Sequence, residues 1–311
     1  MVGLRLRDLP LPSVDLDAEL APLDTRGRPR FESAAAVADE DRKRAMLLRR
    51  QGRKITPLFS ARRAQRLTKR LTSDRSRRTP ASARHMHDMR RRIVGAVWKL
   101  VCDEKRRTHV VTATLIPRGL EVRPADLDNW TSAAILNRLR SQITRAEAIA
   151  TEAGNLRGAK RGWLLAGMHC EFDPTGQLYQ FHYHALASGH MIRVLDSLRA
   201  KPLYRRKTRD RVRDRVRMSR KPLNNLPAPL GYPWQLFWPN RARGDGSDDG
   251  IGFNQLNRRK RRLPEPYHTQ MLLWLDRQQI EEMTLMIGLR VGRGGLEKTY
   301  TDEEGCTSAR P

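Results

Sequence analysis

Two histidines stand one residue apart in the segment QFHYHALASG, residues 180–189. The segment predicts a β-strand, in which successive side chains point to opposite faces. His182 and His184 would therefore share one face, while Phe181 and Tyr183 share the other. Two imidazoles on one strand face have the geometry needed to bind a single divalent ion such as Mn, Zn, Co or Ni, and with a carboxylate also Mg.

A third ligand is expected from the strand that precedes this one. Residues 162–176 predict a strand that runs into a turn at DPTG, 173–176, so the two strands would form a hairpin. On the first strand, His169, Glu171 and Asp173 alternate onto one face. If that face lies beside the histidines, Glu171 is the first choice for the third ligand and His169 the second. Three protein ligands leave coordination positions open, which catalysis requires.

The same His-x-His spacing in another context predicts no metal site. In RHMHDMR, residues 84–90, His85 and His87 lie in a cationic, helix-like segment. On a helix, residues two apart diverge by roughly 200° and cannot chelate together. The strand context, and not the motif alone, therefore supports the metal hypothesis. A pair of structural histidines satisfied by hydrogen bonds is the alternative that the spacing leaves open.

The charge of the chain indicates the class of its partner. The net charge is +27, from 61 Lys and Arg against 34 Asp and Glu. This excess of positive charge predicts a polyanionic partner, most simply nucleic acid.

The cysteines and the apolar residues indicate the compartment. Cys102, Cys170 and Cys306 show neither paired nor C-x-x-C spacing and are expected to be reduced thiols. No apolar run approaches the ~20 residues of a membrane span, and the N-terminus carries charges where a signal peptide is apolar. We therefore expect a cytoplasmic protein with no membrane contact.

The chain is predicted to have four parts. Residues 1–60 are expected to form an irregular N-terminal arm, and 61–107 a basic segment that is helical in its second half. Residues 108–240 have the pattern of a packed α+β domain. Residues 241–311 combine a linker with a helical C-terminal segment, in which 269–290 predict one or two helices.

Strand and helix signals alternate within the α+β part. THVVTATLIP, 108–117, predicts a strand, and 124–154 a helix that stops at Gly154. After the hairpin, 191–200 predict a second helix, and VRMSRKPL, 216–223, a further strand. The pattern favours an α+β fold with a mainly antiparallel sheet and helices packed on one face.

This order of elements, with an acid on the first hairpin strand, His-hydrophobic-His on the second and a later aromatic tyrosine segment, resembles the HUH endonuclease superfamily. That superfamily includes rolling-circle replication initiators, relaxases and related single-strand transposases. The resemblance covers residues 108–240 and is most specific at the histidines. It implies an RRM-like core, a divalent metal (Mg or Mn), and a tyrosine that attacks a DNA phosphate to leave a 5′-phosphotyrosine and a free 3′-OH.

The resemblance also implies a biological role and partners. The activity would initiate rolling-circle replication, or mobilise a plasmid or phage-like element, on single-stranded or origin DNA. The chain contains no P-loop of the form G-x-x-x-x-G-K-[ST]. Strand separation and synthesis are therefore expected to come from a separate helicase and polymerase.

The family places its nucleophile on a helix after the strand that follows the H-x-H helix, often as Tyr-x-x-Lys. Tyr232, in PLGYPWQLFWP, fits this order and is the first choice, although Gln235 stands where the lysine would be. Tyr204, in KPLYRRK, comes earlier but has cationic neighbours and is the second choice. Tyr183 points away from the histidines and is discounted.

Single-strand binding combines a cationic groove with aromatic platforms for the bases. A basic run at 205–221 and aromatic residues at 234–238 supply both. The residues expected to contact DNA are Arg205, Arg206, Lys207, Arg209, Arg211 and Trp234. Two alternatives of other classes stay open: a non-catalytic basic nucleic-acid-binding protein with a structural His-x-His, and a metal-dependent hydrolase that forms no covalent intermediate.

Overall fold

The computed structural model describes residues 4–12, 33–73, 78–104, 110–205, 214–219, 223, 226, 228–234, 239–240 and 261–300. Its α-helices are α1 (Ala34–Gln51), α2 (Ala61–Thr72), α3 (Ala83–Glu104), α4 (Ser132–Glu152), α5 (His190–Ser197) and α6 (Tyr267–Leu275). Its short 3-10 helices are η1 (Leu6–Asp8), η2 (Pro124–Asn129), η3 (Leu198–Ala200), η4 (Ala228–Trp234) and η5 (Ile280–Met283). Its strands are β1 (Val110–Leu115), β2 (Glu121–Val122), β3 (Leu164–Asp173), β4 (Leu178–Ser188), β5 (Val216–Met218), β6 (Pro239–Asn240), β7 (Arg261–Arg262), β8 (Thr284–Ile287), β9 (Leu289–Gly292) and β10 (Gly295–Lys298).

Four strands form the centre of the main sheet, in the order β5-β1-β4-β3, and every neighbouring pair is antiparallel. With α4 between β1 and β3 and α5 between β4 and β5, the chain follows the β-α-β-β-α-β order of a split β-α-β fold. The short strand β2 pairs with β4, while β8 and β6 pair with β3. The predicted α+β class with a mainly antiparallel sheet is confirmed.

Among the described strands, β3 and β4 form the longest pairing, a hairpin. Its turn is tied by the Thr175 backbone N–H, which donates to Asp173 Oδ1 at 3.0 Å. Asp173 pairs with Leu178 across the turn, and this closing pair fixes every pair that follows along the two strands. The pairs that matter for function are Glu171 with Gln180, His169 with His182, and Gly167 with His184.

One face of β4 is apolar and covered by helices. Tyr179, Phe181 and Tyr183 point to this face and are fully buried in the larger hydrophobic core, together with side chains of α4, α5 and α6. The ring of Phe181 lies 5.2 Å from the ring of Trp274 on α6, centroid to centroid. Alternation along the strand therefore assigns the histidines to the opposite face.

That opposite face is also partly covered by a helix. Leu165 of β3 and Leu186 of β4 join a second hydrophobic core, to which α3 contributes Met89, Ile93 and Val97. The sequence predicted helices on one face only, whereas α3 packs on the other. The apolar side chains of α3 are buried against the end of the hairpin where Leu165 and Leu186 lie on this face.

The elements predicted within the α+β part are confirmed. The strand predicted over 108–117 is β1, the two hairpin strands are β3 and β4, and VRMSRKPL contains β5. The helix predicted over 124–154 is divided, since η2 comes before α4. The helix predicted over 191–200 is α5 followed by η3.

The C-terminal segment differs from its prediction. Residues 269–290, expected to be one or two helices, contain most of α6, then η5, β8 and the first residues of β9. β8 pairs antiparallel with β3, from Leu164–Ile287 to Gly167–Thr284. The helix prediction is therefore wrong in its second half, because pairing with the open side of β3 overrides the local pattern.

The N-terminal arm also holds a helix that was predicted to be irregular. α1 begins after Ser33, whose side-chain oxygen accepts a hydrogen bond from the Ala36 N–H at 3.2 Å. Val37, Ala45 and Leu48 lie on its buried side. This apolar spacing is helical, but charged residues between them obscure it in the sequence.

Two of the three cysteines lie in the part of the chain that the structure describes. Cys102 and Cys170 are free thiols, and burial raises the pKa of Cys170 well above its usual value. Cys306 lies outside the described residues. Among the helices that the structure describes, none combines the length and the apolar composition needed to cross a bilayer.

Candidate metal centre

Three histidines meet on the face of the sheet opposite Tyr179, Phe181 and Tyr183. His169 of β3 pairs with His182 of β4, and His184 follows two residues later on the same face. Their exposed fractions are 2%, 4% and 5%. His169 Nδ1 lies 3.2 Å from His182 Nε2, which lies 3.2 Å from His184 Nε2. One nitrogen from each residue lies within 4.8 Å of the other two, so we call this group the histidine cluster.

The separations in the histidine cluster fit a shared ion. Nitrogens that bind one divalent ion at about 2.1 Å lie about 3.0–3.4 Å from each other. Both measured distances from His182 fall in that range. Three imidazoles are a donor set used by Mn, Co, Ni, Cu and Zn, whereas Mg prefers oxygen. The cluster therefore fits a transition ion such as Mn better than Mg.

Oxygen atoms behind the cluster contact the outer nitrogens of two of its rings. His182 Nδ1 lies 3.3 Å from the carbonyl oxygen of Gln180. Since a carbonyl only accepts, Nδ1 is the donor in this contact, and Nε2 is the nitrogen directed at the cluster. His184 Nδ1 is hydrogen-bonded to Thr114 Oγ1 at 3.1 Å, which likewise leaves its Nε2 directed at the cluster. Outer oxygens of this kind fix the orientation of metal-binding histidines.

The third member of the cluster is His169, the second choice from the sequence. Glu171, the first choice, lies opposite Gln180, one pair further towards the turn, and is not a member of the cluster. The reason is the register set at the turn, which aligns His169 and not Glu171 with His182. Within the described ranges, no other group of three or more His, Cys, Asp or Glu residues brings its ligand atoms this close.

The second His-x-His sequence has the structure that its context predicted. His85 and His87 lie on α3, and neither is part of the histidine cluster. Burial lowers the pKa of His85 below its usual value. The pair therefore offers a control with the same spacing on a helix.

The segment that bears Tyr232 lies directly against the histidine hairpin. A Cβ atom added at Gly167 would come within 2.3 Å of the carbonyl oxygen of Pro233, so the η4 backbone is in contact with β3 at this point. Gly167 is the residue paired with His184. The absence of a side chain at Gly167 is what brings the backbone next to Tyr232 beside the histidine cluster.

Hydrogen bonds anchor η4 on both sides of Tyr232. Arg90 of α3 donates from Nε to the carbonyl oxygen of Gly231 at 3.0 Å. Trp234 donates from Nε1 to Thr284 Oγ1 of β8 at 3.3 Å. The backbone of Tyr232 is thus held between two fixed neighbours, while its side chain lies outside the described residues.

Tyr204, the second choice for the nucleophile, lies elsewhere. Its side chain is 4% exposed and belongs to the larger hydrophobic core, the same one that contains Tyr183. Its hydroxyl donates to Gln142 Oε1 of α4 at 2.7 Å, and burial raises the pKa of the phenol. The sheet therefore separates Tyr204 from the histidine cluster.

The residues predicted to contact DNA are only partly described. Arg205 is exposed, and its carbonyl oxygen accepts a hydrogen bond from Arg118 at 2.7 Å. Trp234 is 3% exposed and packs in the second hydrophobic core, so its burial removes the surface that base stacking would need. The other predicted contacts lie outside the described residues: Arg206, Lys207, Arg209 and Arg211.

Sequence reasoning missed the residues that support the site. Thr114 behind His184, Arg90 at η4 and Thr284 on β8 were not singled out, because each depends on a contact between distant segments. Gly167 carried a signal, since a glycine inside a strand often marks a close approach of another backbone.

No protein-family model, no curated protein and no solved structure matches this chain. The support for a function comes from the residues of the site. A histidine cluster able to hold a divalent ion lies on one sheet face, and a tyrosine-bearing segment is anchored against the same face.

Proposed function

We propose that the protein nicks and joins single-stranded DNA through Tyr232 in a metal-dependent reaction with a 5′-phosphotyrosine intermediate. Such a reaction would initiate rolling-circle replication, or mobilise a plasmid or phage-like element. The observation that carries the proposal is the contact at Gly167, which joins the backbone of η4 to the strand pair that bears the histidine cluster.

His169, His182 and His184 would hold the divalent ion, for which Mn fits the three imidazoles better than Mg. When bound, such an ion polarises a phosphate oxygen and stabilises the negative charge that develops there. Thr114 and the Gln180 carbonyl hold two of the rings in the orientation that this requires. These contacts exist in the protein itself, so the cluster is preorganised.

Tyr232 would supply the nucleophile. Its phenol loses its proton and its oxygen forms a bond to phosphorus, while the bond from phosphorus to the 3′ oxygen breaks. The 3′ oxygen leaves with a proton as a free 3′-OH, and a later 3′-OH can reverse the step and join the strand. A phenol with a pKa near 10 needs a fixed position near positive charge to attack. The anchored backbone supplies the position, and Arg90 brings a guanidinium to the neighbouring residue.

The charge of the chain supports DNA as the substrate. A net charge of +27 raises the local concentration of a polyanion and its rate of encounter. A separate helicase and polymerase are proposed to open the duplex and extend the free 3′-OH.

The test is a covalent trapping assay. The protein is incubated with a labelled single-stranded DNA pool and Mn or Mg, with and without EDTA, and then denatured. We expect a protein–DNA adduct that EDTA prevents and that a His182→Ala, His184→Ala double variant does not form. A His85→Ala, His87→Ala double variant is the matched control, because it removes the same spacing from a helix outside the cluster.

The other outcomes identify the alternatives. Tight DNA binding with no adduct under any ion would indicate a non-catalytic nucleic-acid-binding protein whose histidines are structural. Cut DNA with no attached protein would indicate a hydrolase that forms no covalent intermediate.

A further inference from the structure

Four arginines line a pocket on the side of the sheet away from the histidine cluster. The pocket has a volume of about 480 Å³ and lies between α2 and the end of α6. α6 packs on the apolar sheet face through Trp274, which places the pocket behind that face. We call it the arginine groove, and its lining residues are Arg63, Arg66, Arg70, Leu273, Asp276 and Arg277.

Carboxylates hold three of these arginines in place. Asp128 accepts from Arg63 at 2.6 Å with one oxygen and from Arg277 at 2.9 Å with the other. Asp276 accepts from Arg70 at 2.6 Å. A guanidinium has five N–H donors, so each of these arginines keeps donors for a ligand while its orientation is fixed.

The arginine groove has more positive than negative charge. Among the described residues, two carboxylates, Asp128 and Asp276, pair with three of the four lining arginines, and α2 contributes five basic residues and no acid. Arg66 is exposed and has no ion pair or hydrogen bond to any residue that the structure describes. Fixed guanidiniums with spare donors around a concave surface are suited to phosphate groups.

The spacing of the arginines fits a nucleic-acid backbone. Arg63, Arg66 and Arg70 recur along one side of α2 and span about 10.5 Å at 1.5 Å per residue. A span of this length lets the three guanidiniums contact more than one phosphate of a strand. Among the described residues that line the arginine groove none is aromatic, so none of them offers a platform on which an unpaired base could stack. Contacts to phosphate alone suit a duplex, because its bases are paired inside while its phosphates face outward, and such contacts position the duplex without reading its bases.

We infer that the arginine groove binds the phosphate backbone of double-stranded nucleic acid. The site uses residues that take no part in the proposed nicking reaction, so it stands whether or not the protein nicks DNA. If both the groove and the nicking reaction are as proposed, the chain binds a duplex on one side of its sheet and acts on a single strand on the other.

The test compares two arginines of α2. Arg66 lines the arginine groove, whereas Arg62 is exposed on the same helix and does not line it. Binding of the full chain to a labelled 30-base-pair duplex is measured by fluorescence anisotropy over a range of KCl concentrations. We expect Arg66→Glu to weaken binding about tenfold at 0.15 M KCl and to reduce the salt slope by about one to two. Arg62→Glu makes the same charge change one helical turn away, and we expect a smaller effect, below about threefold, because Arg62 does not line the groove.

Equal weakening by both variants, or none by Arg66→Glu, would overturn the inference. Arg66→Gln repeats the test without introducing an acid, and the melting temperature of each variant confirms folding. The covalent trapping assay on single strands separates the two proposals. If Arg66→Glu loses duplex binding but still forms the adduct, the result supports the groove and leaves the nicking proposal standing. If Arg66→Glu loses duplex binding and the parent chain forms no adduct, the groove is still supported and only the nicking proposal is rejected.

Discussion

The two faces of β4 are built from alternate residues of one strand, yet they differ in chemistry. On one face Tyr179, Phe181 and Tyr183 are sealed under helices, and the hydroxyl of Tyr183 donates to the Ile135 carbonyl at 2.7 Å. On the other, His182 and His184 direct nitrogens at each other, and η4 lies against the same face at Gly167. The apolar face provides stability, and its rigidity lets the opposite face hold three imidazoles close together.

The same comparison separates the two candidate tyrosines. Tyr204 is buried on the apolar face, where its phenol has a raised pKa and a hydrogen-bond partner in Gln142. Tyr232 belongs to a segment held against the histidine face. A buried phenol with a raised pKa is a poor source of phenolate. The position of Tyr232 therefore favours it as the nucleophile.

The largest effect is expected from Tyr232→Phe. Without the phenol oxygen no phosphotyrosine can form, so the covalent adduct should fall at least about 1000-fold while DNA affinity changes less than about twofold. Denaturing gels of the trapping reaction measure the first quantity and fluorescence anisotropy the second. A full-strength adduct in this variant would remove Tyr232 from the reaction.

Gly167→Ala should have the next largest effect. The new Cβ would meet the Pro233 carbonyl oxygen at 2.3 Å, so η4 must move away from β3. A displacement of about 1 Å near reacting groups can cost about 100-fold in rate. We expect the rate of adduct formation to fall by about this factor, while Mn affinity, measured by calorimetry, stays within about threefold of the parent. An unchanged rate would show that contact at Gly167 does not position the nucleophile.

Thr114→Val should act on the histidine cluster alone. The variant keeps the shape of the side chain but removes the hydroxyl behind His184 Nδ1. Loss of such an outer partner lowers metal affinity by about 10-fold or more. Calorimetric titration with Mn or Co tests this, and Thr112→Val, two residues earlier on β1, is the control. Equal Mn affinities in the two variants would show that Thr114 does not orient the cluster.

Tyr204→Phe should have the smallest effect and only on stability. The variant loses the hydrogen bond to Gln142 but keeps the buried ring. The free energy of unfolding should fall by about 1 kcal/mol in urea denaturation. Adduct formation should be the same as in the parent, and its loss would return Tyr204 to the list of nucleophiles.

The sequence was sufficient to predict the strands of the hairpin but not the third member of the cluster. Alternation placed His182 and His184 on one face, and DPTG marked the turn. The choice between His169 and Glu171 depends on the register of the hairpin, that is, on whether Asp173 pairs with Leu178 or with the residue before or after it. The sequence of the turn does not determine this register. Register was the missing quantity, and it is a property of two strands together.

The elements that were predicted wrongly depend on long-range contacts. Residues 284–287 have no partner nearby in the sequence, and they become a strand because β3 offers an unpaired edge. The charged residues of α1 hide an apolar side that only packing reveals. By contrast, α4 was predicted correctly because its apolar spacing and its glycine stop are local.

The hydrogen bond from Trp234 to Thr284 has a consequence for the order in which the protein is made. The three residues of the histidine cluster lie on a single hairpin, which is synthesised before η4 and β8. The hydrogen bond from Trp234, which helps to hold the backbone of Tyr232, can form only when β8 has been synthesised and has docked on β3. A nascent chain would therefore contain the three histidines before the backbone of Tyr232 is fixed, and the proposed reaction with DNA would have to wait until β8 has docked on β3.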